Sequence, residues 1–206
     1  MKIFRKEIFE ALLLFTSKDQ IRPEFNHIKI KDKSATATNG HVLIRGWNQV
    51  PLNNDDYPKV IDDFKDNKDD GECIHRDTIK EAINNAKPNK NISVLDNTLV
   101  FTANDKDVII TSHDLQSTRQ IKVKKNKAAK EFPKGDQFEK LFVSDNRDAI
   151  TNIDPDYLAK VAQAAKKVKA KNIKIKINSN NPNDTIIFEM DGEGGDLECI
   201  VQPRRG

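Results

Sequence analysis

The sequence has little cysteine, no long apolar run and none of the loops that hold a phosphate or a nucleophile. Two cysteines in 206 residues, Cys73 and Cys199, lie too far apart to make a disulfide framework and read as buried free thiols. Cys73-Ile74-His75 is a C-x-H without the second ligand pair that zinc needs. No apolar stretch approaches the ~20 residues of a membrane span. The start of the chain lacks the basic-then-apolar order of a secretory leader. A cytoplasmic protein with no membrane contact is therefore expected. Gly192-Glu193-Gly194-Gly195 sits between strand patterns with no Lys-Ser/Thr after it, so it reads as a hairpin turn and not as a phosphate loop. There is no G-x-S-x-G elbow and no H-E-x-x-H helix. His27, His41, His75 and His113 fall on different predicted strands without ligand spacing. These absences argue against an enzyme: no catalytic residue, metal or cofactor is expected.

What is present is a polar but globular chain, 36% hydrophobic and 33% charged, with ten phenylalanines to fill a core. Its length suits one large domain or two small ones. The net charge of +3 is the small difference between 35 basic and 32 acidic residues, so the placement of charge matters more than its sum.

The chain repeats one pattern, strand–helix–three strands, three times. The first unit opens with a strand at 2–4 and a helix at 6–15, where Ile8, Ala11, Leu12 and Phe15 share a face. Strands follow at 25–31 and 34–38. Asn39-Gly40 then tolerates the positive φ of a tight turn, and 41–45 returns as the third strand. Residues 55–72 interrupt, with eight acidic residues against three lysines, the composition of a solvated loop. The second unit has a strand at 72–75 and a helix N-capped by Asp77 or Thr78, with Ile79, Ala82, Ile83 and Ala86 as its apolar stripe. Its strands are expected at 91–95, 98–103 and 108–112, with a further one at 116–124. Residues 122–134 then carry six lysines against one glutamate. The third unit has a strand at 149–153 and a helix from Asp154-Pro155-Asp156 to about 169, where a cap, a proline at the first helical position and an acid in the first turn coincide. Strands at 172–178, 185–190 and 197–202 close the chain. The fold class expected is α+β with antiparallel sheets.

Chemistry is sparse, but charge on the helices is not. Leu158, Val161, Ala162, Ala165 and Val168 are expected to face the core. At 100° per residue, Lys160, Ala164, Lys167 and Lys171 then line the opposite side with Gln163 and Lys166 at its flank. Lysines spaced along a helix can follow phosphates, each contact releasing counterions. No aromatics interleave them, which argues against stacking on single-stranded bases. Arg76, Lys80 and Lys87 extend the set from the second helix, tempered by Glu81. The first helix adds little, because Lys6 is offset by Glu7 and Glu10. The bland alternative is a soluble helix face. Asp62, Asp63 and Lys65 hold the elements of a metal-dependent nuclease, but in an acidic loop that fixes no geometry.

Ala37-Thr38-Asn39-Gly40-His41-Val42-Leu43 resembles the A-T-D-G-H-R-L hairpin of the bacterial DNA polymerase III β sliding clamp family. The likeness extends collinearly: 5–25 resembles that family's helix and arginine-containing entry to the next strand. Glu131-Phe132-Pro133 with Phe138-Glu139-Lys140-Leu141 is similar to its F-P-D-Y-R-R-V segment. Residues 157–168 and 197–205 resemble its last helix and Y-V-V-M-P-M-R end. The sequence departs from the family at Asn39 and Val42, which replace Asp and Arg, and at Gln202 and Arg204, which replace methionines. The resemblance implies a DNA-clamp-like fold, with a two-unit domain at 1–142 and a half-domain at 143–206. It also implies a non-enzymatic replication and processivity factor that binds duplex DNA non-specifically through Lys160, Lys166, Lys167, Lys171, Arg76, Lys80 and Lys87.

A hydrophobic cleft would dock a short peptide of a DNA polymerase or another replication protein. Its walls would be Phe25, Thr38, Gly40, His41, Leu43, Pro133, Leu141, Ile200, Gln202 and Pro203, although Leu43, Leu141 and Ile200 are equally readable as core. Exposed edges of a half-domain imply a homo-oligomer; a ring of the family's size would take about four chains of three units. The alternatives are a clamp-fold interaction module that has lost DNA binding, and the nuclease.

Overall fold

The computed structural model of the chain describes residues 1–18, 21–31, 33–48, 71–86, 97–104, 106–113, 118–125, 132, 152–178 and 185–202. The elements run β1 (Lys2–Arg5), α1 (Lys6–Leu12), β2 (His27–Lys31), β3 (Ser34–Thr38), β4 (Val42–Trp47), β5 (Glu72–His75), α2 (Arg76–Asn85), β6 (Thr98–Ala103), β7 (Asp107–His113), β8 (Thr118–Lys124), α3 (Pro155–Lys167), β9 (Ala170–Lys176), β10 (Ile186–Gly192) and β11 (Gly195–Val201). Short 3-10 turns at Leu13–Phe15 and Pro23–Asn26 extend α1 and introduce β2.

The strands make two antiparallel sheets, β1-β6-β7-β8 and β5-β2-β3-β4-β11-β10-β9. The first two units exchange their opening strands. β1 of the first unit pairs with β6, Phe4 opposite Leu99, while β5 of the second pairs with β2, Ile28 opposite Ile74. The third unit joins the larger sheet through β4 and β11, Val42 opposite Val201 and Trp47 opposite Asp196.

Alternation along the strands sends one set of side chains to the helices. Ile28 and Ile30, Ala35 and Ala37, Val42 and Ile44, Phe188 and Met190, and Leu197, Cys199 and Val201 all enter one buried cluster. Against them α1 places Ile8, Phe9, Ala11 and Leu12, α2 places Ile79 and Ala82, and α3 places Val161, Ala164 and Ala165. Phe4, Phe9 and Phe101 meet edge-on or tilted at centroid distances of 5.0–6.1 Å, the geometry that ring quadrupoles favour.

Several sequence expectations need correction. α2 starts at Arg76, with the His75 ring nitrogen Nδ1 accepting from the Asp77 N–H at 3.3 Å, because the strand β5 runs straight into the helix and leaves no room for a cap at Asp77 or Thr78. α3 keeps its Asp154 cap, whose Oδ1 accepts from the Asp156 N–H at 2.9 Å. It ends at Lys167, and Lys169 turns the chain at φ 55° into β9. Its buried face is Val161, Ala164, Ala165 and Val168. Ala164 therefore belongs to the core and not to a lysine stripe, while Leu158 is 42% exposed. Residues 152–153 carry no strand, and the strands expected at 91–95 and over 149–151 lie outside the described residues. Cys73 and Cys199 are buried and unbonded; burial pushes the Cys73 thiol up to about 12 and raises Cys199 as well, which makes both inert at neutral pH.

His27 is buried. Its Nδ1–H donates to the Pro23 carbonyl at 2.8 Å, and its ring meets His75 edge-on at 5.2 Å. Desolvation lowers its pKa, the Pro23 hydrogen bond opposes that, and His75 adds a smaller lowering. The unfolded chain thus takes up a proton near pH 6.5 that the folded chain refuses. This contribution to stability is present above pH 6.5 and is lost as pH falls from there towards the depressed folded value. Urea midpoints measured from pH 7.5 to 5 should fall on acidification, and His27→Asn, which retains a donor towards Pro23, should flatten that dependence.

Candidate docking cleft and nucleic-acid face

The hairpin β3–β4 is closed by side chains that leave its turn little freedom. The Asn39 carboxamide oxygen accepts from the N–H groups of His41 and Val42 at 3.0 and 2.9 Å. Thr38 Oγ1 donates to the Val42 carbonyl at 2.8 Å and accepts from the Gly40 N–H at 3.0 Å. Gly40 has φ +90°, and a Cβ there would stand 2.8 Å from Phe25 Cε2. The Phe25 ring thus lies directly under the turn, and the Arg22 guanidinium lies 5.1 Å from its centroid. His41 is exposed, and its carbonyl accepts from the Gln202 N–H at 3.4 Å.

Pairing of β4 with β11 brings the hairpin beside residues 196–201. Leu43 stands opposite Ile200, and Ile200 opposite Ile187. These three form a separate cluster on the sheet face turned away from the helices. They are only 4, 3 and 1% exposed respectively, so they form a closed row and not an open wall. Ile187 completes that row and was not singled out from sequence; only the β10–β11 register reveals it. Phe132 of the F-P segment is buried, with Lys29 Nζ 5.8 Å from its ring centroid. Lys29 alternates with the core residues Ile28 and Ile30, which puts Phe132 on the same outward sheet face as Thr38 and Leu43. Pro133, Leu141 and Pro203 lie outside the described residues.

The basic residues are more occupied than their number suggests. Arg76 is 16% exposed; its Nη1 donates to the Ser17 carbonyl at 2.9 Å and its Nε lies 3.7 Å from Asp77. Lys167 pairs with Glu10 of α1 at 3.3 Å. Lys160 lies 5.6 Å from the Tyr157 ring centroid. Lys171 belongs to β9 and not to α3, because the helix stops before it. Lys80, Lys166 and Lys171 are exposed; Lys87 lies outside the described residues. A recess of about 430 Å³ at the start of α2 is lined by Lys18, Asn26, His75, Arg76, Asp77 and Lys80. Among the described residues no three His, Cys, Asp or Glu side chains are placed to share a metal ion; Asp62, Asp63 and Lys65 are outside them. No helix among these residues is long and apolar enough to cross a membrane.

No protein-family model and no curated protein sequence matches the chain. The fold does match solved structures. It superposes on proliferating cellular nuclear antigen from Entamoeba histolytica over 99% of this chain and 98% of that one, with a TM-score of 0.56 and 13% identity. A. fulgidus PCNA, solved with the C-terminal region of FEN-1, gives 100% and 98% coverage, TM-score 0.55 and 12% identity. The DNA polymerase III β subunit from Thermotoga maritima gives a TM-score of 0.57 at 12% identity, with all of this chain covering 66% of that subunit. The class is thereby defined: this is an α+β chain with the DNA-clamp fold, similar to the sliding clamps in architecture and remote from them in sequence.

Gly40→Ala should destabilise the protein by more than about 1 kcal/mol, since it combines a positive φ with a close approach to Phe25. Adding Phe25→Leu should recover part of the loss by opening space under the turn. Urea unfolding of the two variants checks both statements.

Proposed function

We propose that this chain is a non-enzymatic clamp-type replication factor that holds duplex DNA without reading its sequence and recruits protein partners by short peptides. The observation that carries this reading is the superposition of the entire chain on nearly the full length of a PCNA chain. The exposed lysines Lys80, Lys166 and Lys171, with Lys160, supply the phosphate contacts; Lys87 is assigned to the same set. Lys167 and Arg76 contribute less, because Glu10 and the Ser17 carbonyl already hold them. Partner peptides dock beside the turn, where His41 and Gln202 are exposed above the row Leu43–Ile200. Phe25, Thr38 and Gly40 shape that turn, and Pro133, Leu141 and Pro203 are assigned to the flank. The division into 1–142 and 143–206, and a cytoplasmic location, complete the proposal.

Affinity for a nicked circular duplex, measured across salt, tests DNA binding. A negative log–log slope is expected, and Lys160→Ala with Lys166→Ala should reduce its magnitude by about 1–2, since each lost phosphate contact removes about 0.9. A slope near zero would favour the second reading, an interaction module without DNA binding. The ties at Arg76 and Lys167 are the observations on its side.

Clamp-type action requires closure around DNA, and we propose a homo-oligomer. Counted as three units, a ring takes about four chains; coverage of two thirds of a β subunit favours about three. Light scattering at micromolar concentration should give one of these masses. Monomer alone would remove the ring.

A further inference from the structure

Among the described residues β9 is the outermost strand of the larger sheet: its partner is β10, and no described strand pairs with its other side. Its cross-strand partners define its two faces. Ile173 and Ile175 stand opposite Met190 and Phe188, which are core residues, so they lie on the face that α3 covers farther in. Lys174 stands opposite Glu189 and Lys176 opposite Ile187, on the outward face. The apolar face stops short of its cover. Ile173 is 37% and Ile175 53% exposed, and with Leu158 of α3 they are three of the four large apolar side chains exposed among the described residues. The outward face has two lysines bonded to one carboxylate, Glu189. Over 155–178 the chain carries seven lysines and one acidic residue, Asp156.

Lysines alone would be ordinary protection of a sheet edge against aggregation. They do not account for two exposed isoleucines on the opposite face. β8, the other seven-residue edge, shows the protected form: its outward residues are polar or charged, and Ile121 and Val123 are half-buried. A strand laid along β9 would place every second side chain beside Ile173 and Ile175 and the intervening ones beside Lys174 and Lys176. The core would then gain another column on one face, and the surplus cation would be neutralised on the other.

We propose that the β9 edge is a strand-docking site for a partner segment in which aliphatic and acidic residues alternate, bound by edge addition. A second copy of this chain is the poorer occupant. β9 against β9 sets lysines against lysines, and β8 brings Arg119, Lys122 and Lys124, so either pairing puts like charges side by side. The proposal does not depend on DNA binding, since Lys174 and Lys176 are outside the lysine set assigned to phosphates.

The probe is a fluorescein-labelled seven-residue peptide alternating Val and Glu, blocked at both ends, titrated with the full chain and followed by anisotropy. Saturable binding is expected, with slowed amide hydrogen exchange concentrated in 170–176. Ile175→Lys, and separately Lys174→Gln, should each weaken it about tenfold, with the chain still folded by circular dichroism. Equal binding of a Val/Lys peptide, absence of binding, or exchange slowed elsewhere would overturn the proposal. A drop in particle mass on Ile175→Lys would also overturn it, because the edge would then be occupied by a second copy.

Discussion

The ladder between β4 and β11 is the constraint on which the rest of the architecture depends. It joins residues 42–47 to residues 196–201, so loop closure across most of the chain precedes the contacts that depend on it. α1 lies across this seam. A Cβ at Gly46 would stand 2.7 Å from Leu197 Cδ2 and 2.8 Å from Ile8 Cγ2, so the absence of a side chain there lets helix and sheet approach. On the outward face Arg45 and Glu198 bridge the same two strands at 2.8 Å, both partly buried. The third unit is attached to the first two by this seam and by packing of α1 on α3, and its buried side chains enter the same core cluster.

Elements were legible in the sequence because local rules set them. The Asp154-Pro155-Asp156 start, the alternation of β2 and β10 and the Asn39-Gly40 turn all rest on chemistry within a few residues. What could not be read was which strand lies beside which. Nothing local in Lys2–Arg5 says that its partner is Thr98–Ala103, and that exchange is what turns two repeated units into two shared sheets. The rotation of α3 is hidden in the sequence for a related reason. Leu158 fits an apolar stripe as well as Ala164 does, and only the tertiary neighbours decide that alanine is covered and leucine is not. Leu43 and Ile200 were readable as cleft or core; cross-strand stacking with Ile187 puts them in a closed row.

Charge behaves similarly. Counting lysines along 155–178 suggests a strongly cationic surface, but Glu10 of α1, Glu193 of the β10–β11 turn and Glu189 of β10 meet Lys167, Lys169 and the pair Lys174 and Lys176. Exposed pairs of this kind add little stability, yet they lower the charge available to a polyanion. The positive charge that this segment leaves uncompensated is therefore smaller than its composition implies.

The hairpin motif that carries the likeness to bacterial clamps is accounted for largely by folding. Thr38 is held by two hydrogen bonds to the turn, Asn39 accepts two N–H groups, Gly40 is required by its φ and by the Phe25 ring, and Leu43 is stacked on Ile200. Each would be retained by any chain that makes this turn over this core, whatever it binds. His41 differs: its side chain is exposed, and its described ties to the fold are its backbone N–H and carbonyl, which other residues would also supply. Evidence for docking must therefore come from His41 and the neighbouring Gln202. Thr38, Asn39, Gly40 and Leu43 would look the same in a protein that had lost its partners.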